Sequence, residues 1–227
     1  MSITVETLRT RARQRADMNN RNFVESDEWI QLLDVGYKEL YDILVARFED
    51  WYTIPVNITI PQGSASYPLP ADFYKLRGID RSSSGNSAAD DFFPLSPFTF
   101  ESRNNKGYLI RRRGYGNTVQ YRIMQNNLIF SPADQAGGLY RLWYVPRATT
   151  LTTSTDTVDG VNGWEEYIVL VAAIKALTKE ESDVSVLMAE KQALYQRIEW
   201  MAQNRDAGMT ERVSDVQGGN YYGGFNY

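Results

Sequence analysis

The chain has 227 residues, 43% hydrophobic and 13% aromatic, enough to bury one large core or two smaller ones. Its net charge of −4 argues against a general electrostatic grip on nucleic acid or an anionic membrane, while leaving room for a local basic patch. With neither Cys nor His, it has no disulfide, no cysteine nucleophile, none of the usual zinc sites and not the commonest general base at neutral pH.

The longest apolar run, Ile168 to Ile174, is far shorter than the ~20 residues that cross a bilayer, and no apolar signal core opens the chain. A soluble protein made in the cytoplasm is expected. The first predicted helix, Thr4 to Met18, places Val5, Leu8, Ala12 and Ala16 on one narrow arc. Arg9 and Arg13 flank that arc on one side, Arg11 and Arg15 on the other. Two readings stand: a solvated helix whose arginine stems cover the core edge, or a helix at a subunit boundary or facing a polyanion through bidentate guanidinium contacts.

The second predicted helix, Ser26 to Trp51, organises the rest. Ser26 suits the cap, Asp27 and Glu28 suit the positive N-terminal end, and Ile30, Leu33, Tyr37, Leu40, Leu44 and Phe48 recur at spacings of three and four. At about 1.5 Å per residue such a helix spans a whole domain and needs partner helices along its length. Trp29, Tyr41 and Val45 broaden the stripe beyond one partner, which makes Trp29 and Tyr41 candidate contacts to a neighbouring copy or to the segment that follows.

From Ile54 the period changes to two: Ile54, Val56, Ile58 and Ile60 alternate with Pro55, Asn57 and Thr59 as a half-buried strand. Short strands follow at Ala65 to Pro68 and Leu76 to Arg81, then a loop from Ser82 to Asp91 whose acids Asp90 and Asp91 read as solvated rather than metal-binding. Pro97 can open a short helix, and Tyr108 to Arg113 reads as a strand. Alternation resumes at Val119, Tyr121 and Ile123, turns at Gln125 to Asn127, returns over Leu128 to Ser131 and continues over Leu139 to Val145.

Thr149 to Asp159 reads as a linker. Beyond it a helix carries Trp164, Tyr167, Val171, Ile174 and Leu177, with Glu165 and Glu166 in its first turn. A final helix to about Arg205 carries Val184, Leu187, Leu194, Ile198 and Met201 on one face. The fold class is α+β: a bundle of about four helices with an inserted antiparallel β region and a flexible C-terminal arm. The divisions are 1–51, N-terminal helices; 52–150, the β region; 151–206, helices completing the bundle; and 207–227, the Gly/Tyr-rich arm.

That arm has no charged side chain after Asp215 and ends GGNYYGGFNY. It is either a frayed terminus, a segment that docks into a partner's groove, or a stacking platform for nucleic acid. Arg111, Arg112 and Arg113 form the strongest basic cluster, either solvated or turned toward DNA or an acidic partner. The Gly114 and Gly116 pair lacks the Lys-Ser/Thr ending of a phosphate loop, and no nucleophile elbow is present. No catalytic, metal or cofactor residues are assigned.

Four segments in order, GYKELYDILVARFEDWY at Gly36 to Tyr52, YPLPADFYKLRGID at Tyr67 to Asp80, WEEYIVLVAAIKALTKEESD at Trp164 to Asp183 and RIEWMAQNRDAG at Arg197 to Gly208, resemble the head-to-tail adaptor (connector) proteins of tailed bacteriophages. The resemblance implies a non-enzymatic virion protein that packs side by side with copies of itself, as a dodecameric ring under the portal, around a channel for genomic DNA read without sequence specificity. It implies that Tyr221, Tyr222, Phe225 and Tyr227 carry the arm onto the portal protein, and that the opposite face receives a tail or nozzle component. The alternative is a nucleic-acid-binding module that uses the arginine patches and the aromatic tail; a hydrolase with a spatial carboxylate pair is a third.

Overall fold

The computed structural model describes residues 2–19, 23–86, 91–101, 119–159 and 163–204. Arg111 to Arg113 and the four arm aromatics lie outside them. The chain opens with a strand β1 (Ser2–Thr4), which pairs antiparallel with β9 (Thr157–Asp159), Ser2 opposite Asp159. The stretch read as a linker is therefore part of the fold. Asp156 accepts the backbone N–H groups of Thr152 and Thr153 at 2.7 and 2.9 Å, and the turn so formed offers its carbonyls to α1. Val5 N–H donates to Asp156 O at 2.9 Å and Glu6 N–H to Ser154 O at 3.0 Å, which satisfies two N-terminal donors that a helix leaves unpaired.

Helix α1 (Val5–Arg15) buries Val5, Leu8 and Ala12. It is shorter than the pattern suggests because Asp17 takes the left-handed conformation, φ 53°, and turns the chain. Helix α2 (Ser26–Arg47) starts where expected, with Glu25 rather than Ser26 at the cap position. It ends four residues before Trp51. Phe48 leaves the helical region at φ −147° and a 3-10 turn covers Glu49–Tyr52. Tertiary contacts override the helical period there: Glu49 and Asp50 turn toward the sheet, and the Tyr52 ring meets Tyr41 edge-on with centroids 5.0 Å apart.

Helix α3 (Glu166–Lys179) is the centre of the bundle. Every residue from Tyr167 to Ala173 is buried, and so is Ala176. Its approach to α2 depends on Gly36, where a Cβ would stand 3.0 Å from the Ile168 carbonyl and 3.1 Å from its Cα. Helix α4 (Ser185–Gln203) closes the bundle but buries only Ile198 and Ala202 fully. One core runs through all four helices, with Leu8, Trp29, Leu33, Leu40, Ile168, Ala172 and Ile198 among its members.

The β region holds two antiparallel sheets around a second core. The four-stranded sheet runs β2 (Ile54–Ile60), β8 (Gly138–Pro146), β4 (Phe73–Ser82), β5 (Phe92–Pro94); the three-stranded sheet runs β3 (Ser66–Pro68), β7 (Asn127–Ser131), β6 (Gln120–Met124). Ile58, Ile60, Ile79, Leu128, Phe130, Tyr140 and Leu142 fill the space between them. Strand β5 was not legible in the pattern, and the residues from Pro97 form a single bridge to Tyr121 rather than a helix. The observed class is the expected α+β fold.

Candidate assembly surfaces

A structural role would need the two layers of the chain held as one body and some surface left for partners. The first requirement is met where α2 meets the sheet. Strand β8 alternates Tyr140, Leu142 and Tyr144 into the β core, then turns Val145 onto Tyr41 and Val45 of α2 in a small buried cluster. The Tyr41 hydroxyl donates to Pro146 O at 2.6 Å, and the Tyr74 hydroxyl to Asp42 Oδ1 at 2.8 Å. Burial pushes the Tyr41 phenol up to about 12, with Tyr37, Tyr52, Tyr74 and Asp42 acting in the same direction. Around this patch Glu49 pairs with Lys75 and Arg77, Asp50 pairs with Arg77, and Arg47 of α2 pairs with Glu199 of α4. Each such partly exposed pair stabilises by only about 0–1 kcal/mol, so the cluster fixes orientation more than it holds the fold together.

Trp29 and Tyr41 are thereby placed. Trp29 is 1% exposed inside the bundle and Tyr41 is 8% exposed at the junction. A side chain already covered by its own chain has no surface to offer a neighbour, so the broad stripe on α2 reflects two internal partners, the bundle and the β region. The arginines of α1 also face their own chain. Arg9 Nη2 donates to Glu6 Oε1 at 2.6 Å, and Arg13 Nη2 to Asn19 O at 2.9 Å. Arg11 reaches Glu165 at 3.5 Å, while Arg15 bonds Glu166 at 2.8 Å and approaches Glu190 at 3.5 Å. The first turn of α3 thus draws two guanidinium groups across the bundle, and these acids serve α1 as well as the helix end they occupy.

In the loop after β4, Asp91 is a turn-former. Its carboxylate accepts from Ser84 N–H at 2.6 Å and from the Ser83 and Ser82 hydroxyls at 3.0 and 3.1 Å, bonds that hold it down at about 2. Asp90 lies outside the described residues. Among the described residues no group of three or more acidic side chains is placed to hold a metal ion, and no helix is long and apolar enough to cross a membrane.

Among the described residues large apolar side chains stand exposed at several places, Trp51, Phe100 and Phe23 among them, and α4 carries four. Val186 is 68% exposed, Met188 57%, Trp200 65% and Met201 38%. Met201 was expected on the buried face; Ala202 takes that place instead. In the sequence the signal is a set of apolar residues that fall off the Leu187, Leu194, Ile198 stripe.

In a comparison with protein families, the model described as SU10 adaptor protein matches residues 3–215. The chain belongs to the SU10 adaptor protein family. This is a family of phage head–tail adaptors, so the chain is a structural protein of the virion. A comparison with curated proteins returns no match. As an SU10 adaptor the chain has the expected fold class, with a β region far larger than a simple bundle needs. The family match stops at Asp215, before the Gly218–Tyr227 segment begins.

Proposed function

We propose that this adaptor assembles as a ring beneath the portal, twelve copies side by side, and joins it to the tail around the path of the genomic DNA. The observation that supports this reading most is the apolar face left uncovered on α4 by Val186, Trp200 and Met201, in a member of a head–tail adaptor family. Apolar side chains of this size, left on the outside of a rigid helix, are what a side-by-side contact between copies uses. The junction of α2 with the sheet supports the same reading, because load passed from a portal to a tail needs layers that do not slide.

On this reading Tyr221, Tyr222, Phe225 and Tyr227 carry the arm to the portal protein, where many weak arms on one ring act together. The DNA passes without base contacts, and Arg111 to Arg113 serve the channel or a tail component. The nucleic-acid-binding alternative has lost its support on α1, whose arginines are engaged within the chain. Native mass measurement of the chain alone and mixed with portal protein tests the proposal. A multiple of the 26.0 kDa subunit that forms on the portal supports it. A monomer that ignores the portal yet binds DNA in a salt-dependent way overturns it.

A further inference from the structure

On the side of the helix away from Val186 and Trp200, α4 forms one wall of a cleft of about 370 Å³ with α3 and Glu39 of α2. Apolar Val171, Ile174 and Met188 line it together with polar Lys175, Lys191 and Gln192 and the acid Glu39. Its volume is in the range of clefts that take small organic groups, about 300–1,000 Å³. Part of the polar lining is already set: Lys191 Nζ donates to Glu39 Oε2 at 2.9 Å and stands 5.1 Å from the centre of the Tyr167 ring. A thioether, aliphatic walls and ammonium groups together suit an aromatic ring bearing one polar atom. The sulfur and the cations favour ring faces, and a phenol hydroxyl finds partners among the polar side chains.

The chain supplies such rings close by. Residues 205–227 follow directly on the C-terminal end of α4, and after Asp215 they carry no charge and hold Tyr221, Tyr222, Phe225 and Tyr227. Met188 stands about 24 Å back along the helix from Asn204, at about 1.5 Å per residue. Residues 205–217 can extend about 43 Å at about 3.3 Å per residue, so the aromatic residues reach the cleft with slack. A tether of this length gives an effective concentration of the order of millimolar, about a thousandfold above a second copy at micromolar concentration. The connection therefore favours the segment of the same chain over that of a neighbour.

We infer that, in the unassembled subunit, Gly218–Tyr227 seats in the α3–α4 cleft of its own chain and covers Met188. This goes beyond the ring and its portal: it concerns the isolated chain, and it stands or falls without either.

The absence of cysteine makes the test clean. The paired variant Met188→Cys with Tyr222→Cys, oxidised at about micromolar concentration, is expected to cross-link within one chain, and Ser84→Cys with Tyr222→Cys, in the β region, serves as the background. Hydrogen exchange on the unmodified full-length chain, compared with a chain ending at Gln217, gives a second reading that needs no cysteine. Faster exchange at Val186 to Gln192 on truncation supports the seat. Cross-linking no higher than the background pair overturns it, as do cross-links only between chains and unchanged exchange after truncation. Portal binding, measured separately, reports on the ring proposal and not on this one.

Discussion

Helices α3 and α4 lie side by side and differ in what surrounds them. In α3 the whole run from Tyr167 to Ala173 is covered, by α1 and α2 as well as by α4, so every turn contributes to the core. In α4 a single line, Leu187, Leu194 and Ile198, faces inward, while Val186 and Trp200 face out. Ten of the fourteen residues of α3 are apolar against eleven of nineteen in α4, and the one is a core element while the other is half core and half surface. Hydrophobicity along a helix therefore says how much it wants to bury; only its neighbours say against whom.

The comparison can be broken at graded strength. Ile168→Ala, at the centre of α3, is expected to cost about 2–5 kcal/mol in denaturant unfolding, since it leaves a cavity that packed helices cannot close. Gly36→Ala should cost about 1–3 kcal/mol by pushing α2 off the Ile168 backbone, with a lowered melting temperature as the readout. Tyr41→Phe removes the bond to Pro146 O and should cost about 0.5–1.5 kcal/mol. Its pH dependence is a sharper check. A phenol that titrates near 12 in the folded chain and near 10 when unfolded stabilises the fold fully below pH 10, and that contribution is lost as pH rises toward 12. Tyr144, pushed up to about 12 by burial and by its bond to Asp72, adds to the same alkaline decline, so Tyr41→Phe should make the decline shallower without abolishing it. Least of all in stability, Trp200→Ser on α4 should stay within about 0.5 kcal/mol of the parent while weakening association between copies. Should it unfold the chain as Ile168→Ala does, the contrast between the helices is wrong.

Much of the architecture was readable from residues alone. The run Ile54 to Ile60 matches the bounds of β2, with Ile58 and Ile60 buried, Val56 half-buried and Ile54 exposed, and the bundle stripe on α2 has Leu33, Leu40 and Leu44 where the core lies. What escaped reading was non-local. Strands β1 and β9 are three residues each, too short to show a period, and they pair across about two thirds of the chain. Past the early end of α2, Glu49 and Asp50 pair with charges on β4, which no helical window contains. For the surfaces, the broad stripe through Trp29 and Tyr41 was recognised as needing more than one partner, but sequence could not tell a neighbour from the chain's own sheet. Arg111 to Arg113 and the arm aromatics lie outside the described residues, and their roles stand as proposals.

The order in which the bundle's parts leave the ribosome has a cost of its own. About 120 residues separate the end of α2 at Arg47 from the start of α3 at Glu166. At roughly 5–20 residues per second, α1 and α2 wait some 6–24 s with their apolar stripes uncovered before the helix that fills them exists. The β region has its own core and can fold during that wait, whereas the bundle cannot. The chain thus passes through a stage in which its bundle stripes are most prone to stick to other chains, and that stage ends only with the last quarter of the sequence.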